Sequence, residues 1–197
     1  MYQIEQIQNS ILLGDALQEL KKIPSETIDT IITSPPYYGL RDYGVDGQIG
    51  LEKTLAEYLD KMLVITAELK RVLKKTGTLW LNHGDSYASI GKLCGDFTRN
   101  EPDTTWGRHD KNRGRSRIKK GEYPEKCLLM QNERLIMRMI DEQGWILRNR
   151  LIWWKPNCMP SSVRDRFTVD YEPLYFLVKS KKYWFVIFGS STFISKQ

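Results

Sequence analysis

Between Ile28 and Asn82 the chain reads as strand, long helix, strand, and that order limits its architecture more than any other feature. IDTIIT (28–33) is a run rich in β-branched residues that stops on Pro35-Pro36. From Leu51 to Lys75 the apolar residues Leu55, Leu59, Met62, Leu63, Leu69, Val72 and Leu73 recur near helical spacing. That spacing predicts a long amphipathic helix, with Lys74 and Lys75 at its C-terminal end and Gly77 as its stop. GTLWLN (77–82) is the next strand. Upstream, ILLG (11–14) reads as a short buried strand and ALQELKKI as a helix. Downstream, a helix is expected from about 126 to 142, followed by the strand WILRNRLIWW (145–154). PLYFLVKS (173–180) and YWFVIF (183–188) read as a closing hairpin around a Lys-rich turn. The alternation predicts an α/β fold with a largely parallel sheet. In such sheets the working loops leave the carboxyl ends of the strands. GD (14–15), TSPPYY (33–38) and NHGDSY (82–87) are therefore expected along one edge.

Length and charge narrow the class. The 197 residues suit one globular domain, and the net charge of +6 favours a polyanionic partner. Three widely spaced cysteines and two histidines predict neither a disulfide framework nor a metal site. No apolar run reaches membrane-spanning length and the N-terminus lacks a signal-peptide core, so a cytoplasmic location is expected.

The Pro-Pro loop carries the chemistry. Proline lacks an N–H and restricts the residue before it. Ser34 and the carbonyl of Pro35 are then held side by side as two rigid acceptors. Two acceptors suit an exocyclic –NH2, and Tyr37 offers a flat face to a planar ring. The amino nitrogen of cytosine or adenine is a poor nucleophile because its lone pair is delocalised into the ring. Hydrogen bonds to both of its protons favour a more tetrahedral nitrogen, able to attack a sulfonium methyl placed in line. The base must first leave the duplex, at a cost of about a few kcal/mol. Stacking on an aromatic offsets about 1–3 kcal/mol of it.

LLGDALQELKKIPSETIDTIITSPPYYGLRDYG resembles the opening of the amino-methylating DNA methyltransferases, in the permuted order that places the catalytic motif before the cofactor motif. GTLWLNHGDSY (77–87) and residues 144–185 resemble later blocks of the same family. The resemblance implies a Rossmann-like methyltransferase sheet, S-adenosyl-L-methionine as cofactor and double-stranded DNA as partner. It implies that Ser34, Pro35 and Tyr37 hold a flipped base, that Pro36 shapes the loop, and that Asp15 lies near the adenosine part of the cofactor. SPPY (34–37) resembles the family's catalytic tetrapeptide, whose serine form favours N4 of cytosine, with N6 of adenine as the alternative. A glycine-containing cofactor motif is expected near the C-terminus. There Phe188-Gly189-Ser190-Ser191-Thr192 echoes it without the Asp-Pro and the second glycine, leaving Gly189 as a weak candidate. The sheet is thus expected to be incomplete at its C-terminal side, and residues 1–197 to form one partial catalytic domain. Another chain completing the cofactor site and an inactive DNA-binding remnant are the two ways to read that gap. A cognate restriction endonuclease is a further partner the family admits. Enzymes of RNA or protein amides place the glycine motif before the loop, which does not fit here.

Residues from about 88 to 125 read as a basic insertion. Arg108, Lys111, Arg113, Arg115, Arg117, Lys119 and Lys120 face one acid, Asp110, and such a stretch suits DNA phosphates as well as a plain solvated loop. Trp106, Trp153 and Trp154 fit core or rim packing better than a base pocket. His83 reads as structural and Asp85 as a helix or turn cap. Arg148, Arg150, Arg164 and Arg166 are phosphate candidates of the kind that surfaces carry anyway. Cys158 lacks the Pro-Cys dipeptide of covalent C5 chemistry.

Overall fold

In a computed structural model of the chain, the described residues are 1–88, 122–158, 163–187 and 190–194. The helices are α1 (Ile4–Ile7), α2 (Ala16–Lys22), α3 (Leu55–Val72) and α4 (Gln131–Gln143). The strands are β1 (Ile28–Thr33), β2 (Leu73–Asn82), β3 (Ile146–Trp154), β4 (Tyr171–Val178), β5 (Tyr183–Ile187) and β6 (Ser190–Ile194). Two compact units form: Met1–Ser34, Leu63–His83 and Ile136–Gln197 make the first, and Pro35–Met62 with Gly84–Leu135 the second. Among the described residues no helix is long and apolar enough to cross a membrane.

The first unit is built on a four-stranded sheet in the order β1-β2-β4-β3. β1 and β2 are parallel, whereas β4 runs antiparallel to both β2 and β3. The sheet is therefore mixed rather than largely parallel. The expected closing hairpin does not form. Residues 171–178 enter the middle of the sheet, and 183–187 pair instead with 190–194 in a separate two-stranded sheet. Burial explains the difference. Tyr175, Phe176, Leu177 and Val178 are all buried, so both faces of β4 are covered, as a central strand requires and a surface hairpin does not. On one face Trp80 stacks on its register partner Phe176 at 4.4 Å. Phe176 in turn meets Phe185 at 5.4 Å and the edge of Tyr183 at 5.8 Å. Leu79 and Leu81, at alternate positions, are buried on the other face.

Three local readings are also corrected. ILLG (11–14) is not a strand, and Ile11 and Leu13 are 97% and 98% exposed. A strand exists only through pairing, and none of the described strands pairs with these residues. The long helix ends at Val72, so Lys74 and Lys75 lie in β2 rather than at its C-terminus. Gly77 is inside β2 and stops no helix. A Cβ there would stand 2.7 Å from Leu73 Cγ and 2.8 Å from the Asp29 carbonyl oxygen. The register between β1 and β2 shifts between Ile28 and Thr30, beside this close approach. The helix expected from about 126 begins at Gln131.

Arg71 binds the end of α2. Its guanidinium donates to the Leu20 carbonyl at 2.8 Å and to the Ile23 carbonyl at 2.9 Å. Lys70 does the same for α4, donating to the carbonyls of Gln143 and Gly144. Both satisfy carbonyls that a helix end leaves without partners.

Candidate active site

Ser34 follows the last residue of β1, and Asn82 closes the neighbouring parallel strand β2. Thr33 pairs with Leu81, which brings the two polar residues to the same sheet edge. Ser34 Oγ donates to Asn82 Oδ1 at 3.1 Å, and Asn82 Nδ2 donates to the Pro173 carbonyl at 3.1 Å. The second bond fixes the first. A backbone carbonyl only accepts, so the amide nitrogen must face Pro173 and the amide oxygen must face Ser34. With its proton committed to Asn82, the Ser34 hydroxyl meets any further group as an acceptor. Of the three loops expected along one edge, those after β1 and β2 meet here through Ser34 and Asn82.

Pro35, Pro36 and Tyr37 belong to the second unit. The Tyr58 hydroxyl donates to the Pro36 carbonyl at 3.0 Å. Burial, then the charges of Glu52 and Tyr37, raise the Tyr58 phenol well above its usual range, so it stays a donor. Pro36 thus has its carbonyl fixed, in keeping with a loop-shaping role, and Pro35 remains the acceptor candidate. Gly84 seats Tyr37: a Cβ on Gly84 would lie 2.7 Å from Tyr37 Cε2 and 3.3 Å from its Cζ. Only a glycine lets the ring lie that close to the backbone. Tyr38 is fully buried, with its N–H given to Gln131 Oε1 at 2.8 Å and its carbonyl taking the Ser86 hydroxyl at 3.1 Å. Of the two tyrosines, Tyr38 anchors the loop and Tyr37 remains half-buried.

Asp85 caps α4. Its carboxylate accepts from the N–H groups of Ser86 at 2.8 Å, Met130 at 2.9 Å and Gln131 at 3.2 Å. Burial raises its carboxyl pKa and outweighs those three bonds, which lower it. Asp85→Ala is expected to cost about 1–2 kcal/mol, measured by urea denaturation. Because the folded value is raised, proton binding favours the native state. That contribution is complete below the ordinary carboxylate range and is lost as pH rises through the raised value. Relative to Asp85→Asn, the parent chain should therefore lose stability as pH rises from the ordinary carboxylate range through the raised value.

His83 is buried and its N–H faces the Pro173 carbonyl at 3.4 Å, a structural placement. Arg148 Nε donates to the Tyr183 hydroxyl at 3.1 Å. Arg150 and Arg164 are exposed, and Arg166 and Cys158 are half-buried. Trp153 and Trp154, at the end of the edge strand β3, are largely exposed and so are not core residues. Trp106, Gly189 and the basic residues Arg108, Lys111, Arg113, Arg115, Arg117, Lys119 and Lys120 lie outside the described residues. Asn82, Tyr58 and Gly84 contact the candidate residues Ser34, Pro36 and Tyr37, and sequence reasoning misses all three. Asn82 has a signal, a polar residue closing an apolar strand on the expected edge. Tyr58 has none, since its position in the helical stripe reads as core.

Of the two cofactor candidates, Asp15 lies among the described residues and Gly189 does not. The Asp15 side chain accepts from Gln18 N–H at 3.0 Å as the N-cap of α2, it is exposed, and the residues before it form no strand. Ser190, Ser191 and Thr192 lie in β6. Among the described residues, those around Asp15 do not by themselves fit an S-adenosyl-L-methionine pocket.

Residues 28–196 match a family model described as DNA methylase. The Citrobacter freundii type II methyltransferase M.Cfr9I is 43% identical over 176 residues, 87% of this chain and 55% of that protein. The Serratia marcescens type II methyltransferase M.SmaI is 42% identical over 179 residues, 89% of this chain and 57% of its own length. The chain thus spans little more than half the length of these curated relatives. Among solved structures, the cytosine-N4-specific PvuII DNA methyltransferase aligns with a TM-score of 0.56 at 20% identity, covering 86% of this chain and 50% of its own. A Thermus thermophilus DNA modification methylase, complexed with S-adenosyl-L-methionine, aligns with a TM-score of 0.54 at 19% identity, covering 87% and 53%.

Proposed function

Because this chain belongs to the DNA methylase family of the N6/N4 type, we propose that it provides the target-base side of a DNA amino-methyltransferase that modifies N4 of cytosine in double-stranded DNA. The relay from Ser34 through Asn82 to Pro173 carries this reading. It fixes Ser34 as an acceptor, which is what a bound –NH2 requires. Ser34 and the Pro35 carbonyl, adjacent in the chain, take the two amino protons and return electron density to the nitrogen. Tyr37 faces the ring of the flipped base and offsets part of its unstacking.

S-adenosyl-L-methionine is the methyl donor this reading requires. The exposed Asp15 does not hold it alone, and a second polypeptide completing the cofactor site is a further partner of this reading. A cognate endonuclease cutting the same duplex sequence is the expected companion of a type II modification enzyme.

N6 of adenine is the alternative target, since its amino group presents the same two protons. The exposed, helix-capping Asp15 favours a further reading, a DNA-binding chain without methyl transfer. One experiment separates the three. The chain is incubated with duplex DNA and isotope-labelled S-adenosyl-L-methionine, and the digested nucleosides are examined by mass spectrometry. Labelled N4-methylcytosine is the expected product, and N6-methyladenine would reassign the target. Neither product, together with no heat of cofactor binding in calorimetry, would leave only the DNA-binding reading.

A further inference from the structure

Trp153 and Trp154 end the edge strand β3, and they are 59% and 62% exposed. Two adjacent, largely exposed tryptophans cost solvation on a monomer's surface and usually mark a contact. The register places them relative to Ser34. Asn82 pairs with Leu174, which pairs with Leu151, so the tryptophans lie two and three residues beyond Asn82 towards the carboxyl end of β3. β1 and β3 are three strand spacings apart, so the pair stands ~14 Å across the sheet from the Ser34 strand, on the same edge. That distance equals about four base steps along one DNA strand.

The surroundings select nucleic acid as the occupant. Arg148 and Arg150 precede the tryptophans on β3, and Arg164 lies on the segment that returns to β4; all three are exposed. Two acids at the end of β3 and the start of β4 are already used. Asp170 accepts from Trp154 Nε1 at 3.1 Å, and Glu172 is paired with Lys155. The Asp170 carbonyl also takes the Lys155 N–H at 2.7 Å, which ties the returning segment to the end of β3. Apolar faces next to guanidinium groups suit bases and phosphates together.

We infer that Trp153 and Trp154 form an aromatic contact for the DNA flanking the flipped nucleotide, on the same sheet edge as Ser34. This rests on the function proposed above. Successive side chains on a strand point to opposite faces, so the two rings project on either side of the edge. Trp154 is held by Asp170 and has Tyr171 as its cross-strand neighbour. Trp153 has Glu172 as its neighbour.

The test measures binding of a fluorescently labelled duplex by anisotropy, over a range of salt concentrations. Trp153→Ala/Trp154→Ala is expected to weaken affinity at least about tenfold while leaving the salt slope unchanged, because rings and not charges are removed. Trp153→Phe/Trp154→Phe should recover most of that loss, which excludes misfolding as its cause. Trp184→Ala, at a 48% exposed tryptophan on β5, should bind as the parent does. A double alanine variant with parental affinity would overturn the inference while leaving the proposed function intact. So would loss of self-association in that variant with DNA binding unchanged, which would assign the patch to a second copy of the chain. A parent chain that binds no duplex would overturn both.

Discussion

Ser34→Ala is expected to slow amino methylation on the order of a hundredfold, comparable to the loss of one oxyanion-hole donor, while duplex affinity changes by less than about threefold. The methyl group cannot accept a hydrogen bond, so on the proposed function the bound amine would lose one of its two acceptors at the step where its nitrogen must become more nucleophilic. Asn82 Oδ1 loses its donor at the same time. Affinity is spared because phosphate contacts supply most of the binding to DNA. Ser34→Asp keeps an acceptor and should retain more of the rate than Ser34→Ala. Single-turnover methylation with both variants decides the matter, and an alanine variant as fast as its parent would remove Ser34 from the chemistry.

Gly77→Ala is expected to cost about 1–3 kcal/mol of stability, read from the shift in urea midpoint at constant slope. The new methyl would meet Leu73 Cγ at 2.7 Å and the Asp29 carbonyl oxygen at 2.8 Å. The leucine can change rotamer. The carbonyl belongs to the backbone of β1 and moves only if the strand moves. That movement would disturb the Thr30–Thr78 contact at 3.1 Å and, at the far end of the same strand pair, the seat of Ser34 on Asn82. A loss below ~0.5 kcal/mol, the scatter of ordinary surface changes, would mean that the strands part there freely.

The elements most visible in the sequence were those whose pattern arises from local chemistry. The period of Leu55, Leu59, Met62 and Leu69 announced α3, and β-branched residues before Pro35 announced β1. Elements that exist only through distant partners were misread. Residues 171–178 look the same whether they close a hairpin or enter a sheet; the covered faces of Tyr175 and Phe176 decided for the sheet. ILLG has the composition of a strand, but no described strand pairs with it. Gly77 looked like a helix stop because glycine commonly is one, whereas here it makes room for a neighbouring backbone.

By itself the sequence determined the strand, long helix, strand order of β1, α3 and β2, the place of the Pro-Pro loop after a strand, and the pairing of two backbone-restricting prolines with Ser34 and Tyr37. These follow from side-chain periodicity and from the geometry of proline, which act within a few residues. The tertiary structure alone decided that Asn82 takes the Ser34 proton, that Tyr58 fixes the Pro36 carbonyl, and that Gly84 makes room for Tyr37. Each of these is a contact between residues 22 to 48 positions apart. No local rule specifies such a contact, because it depends on which strands lie side by side and in which register.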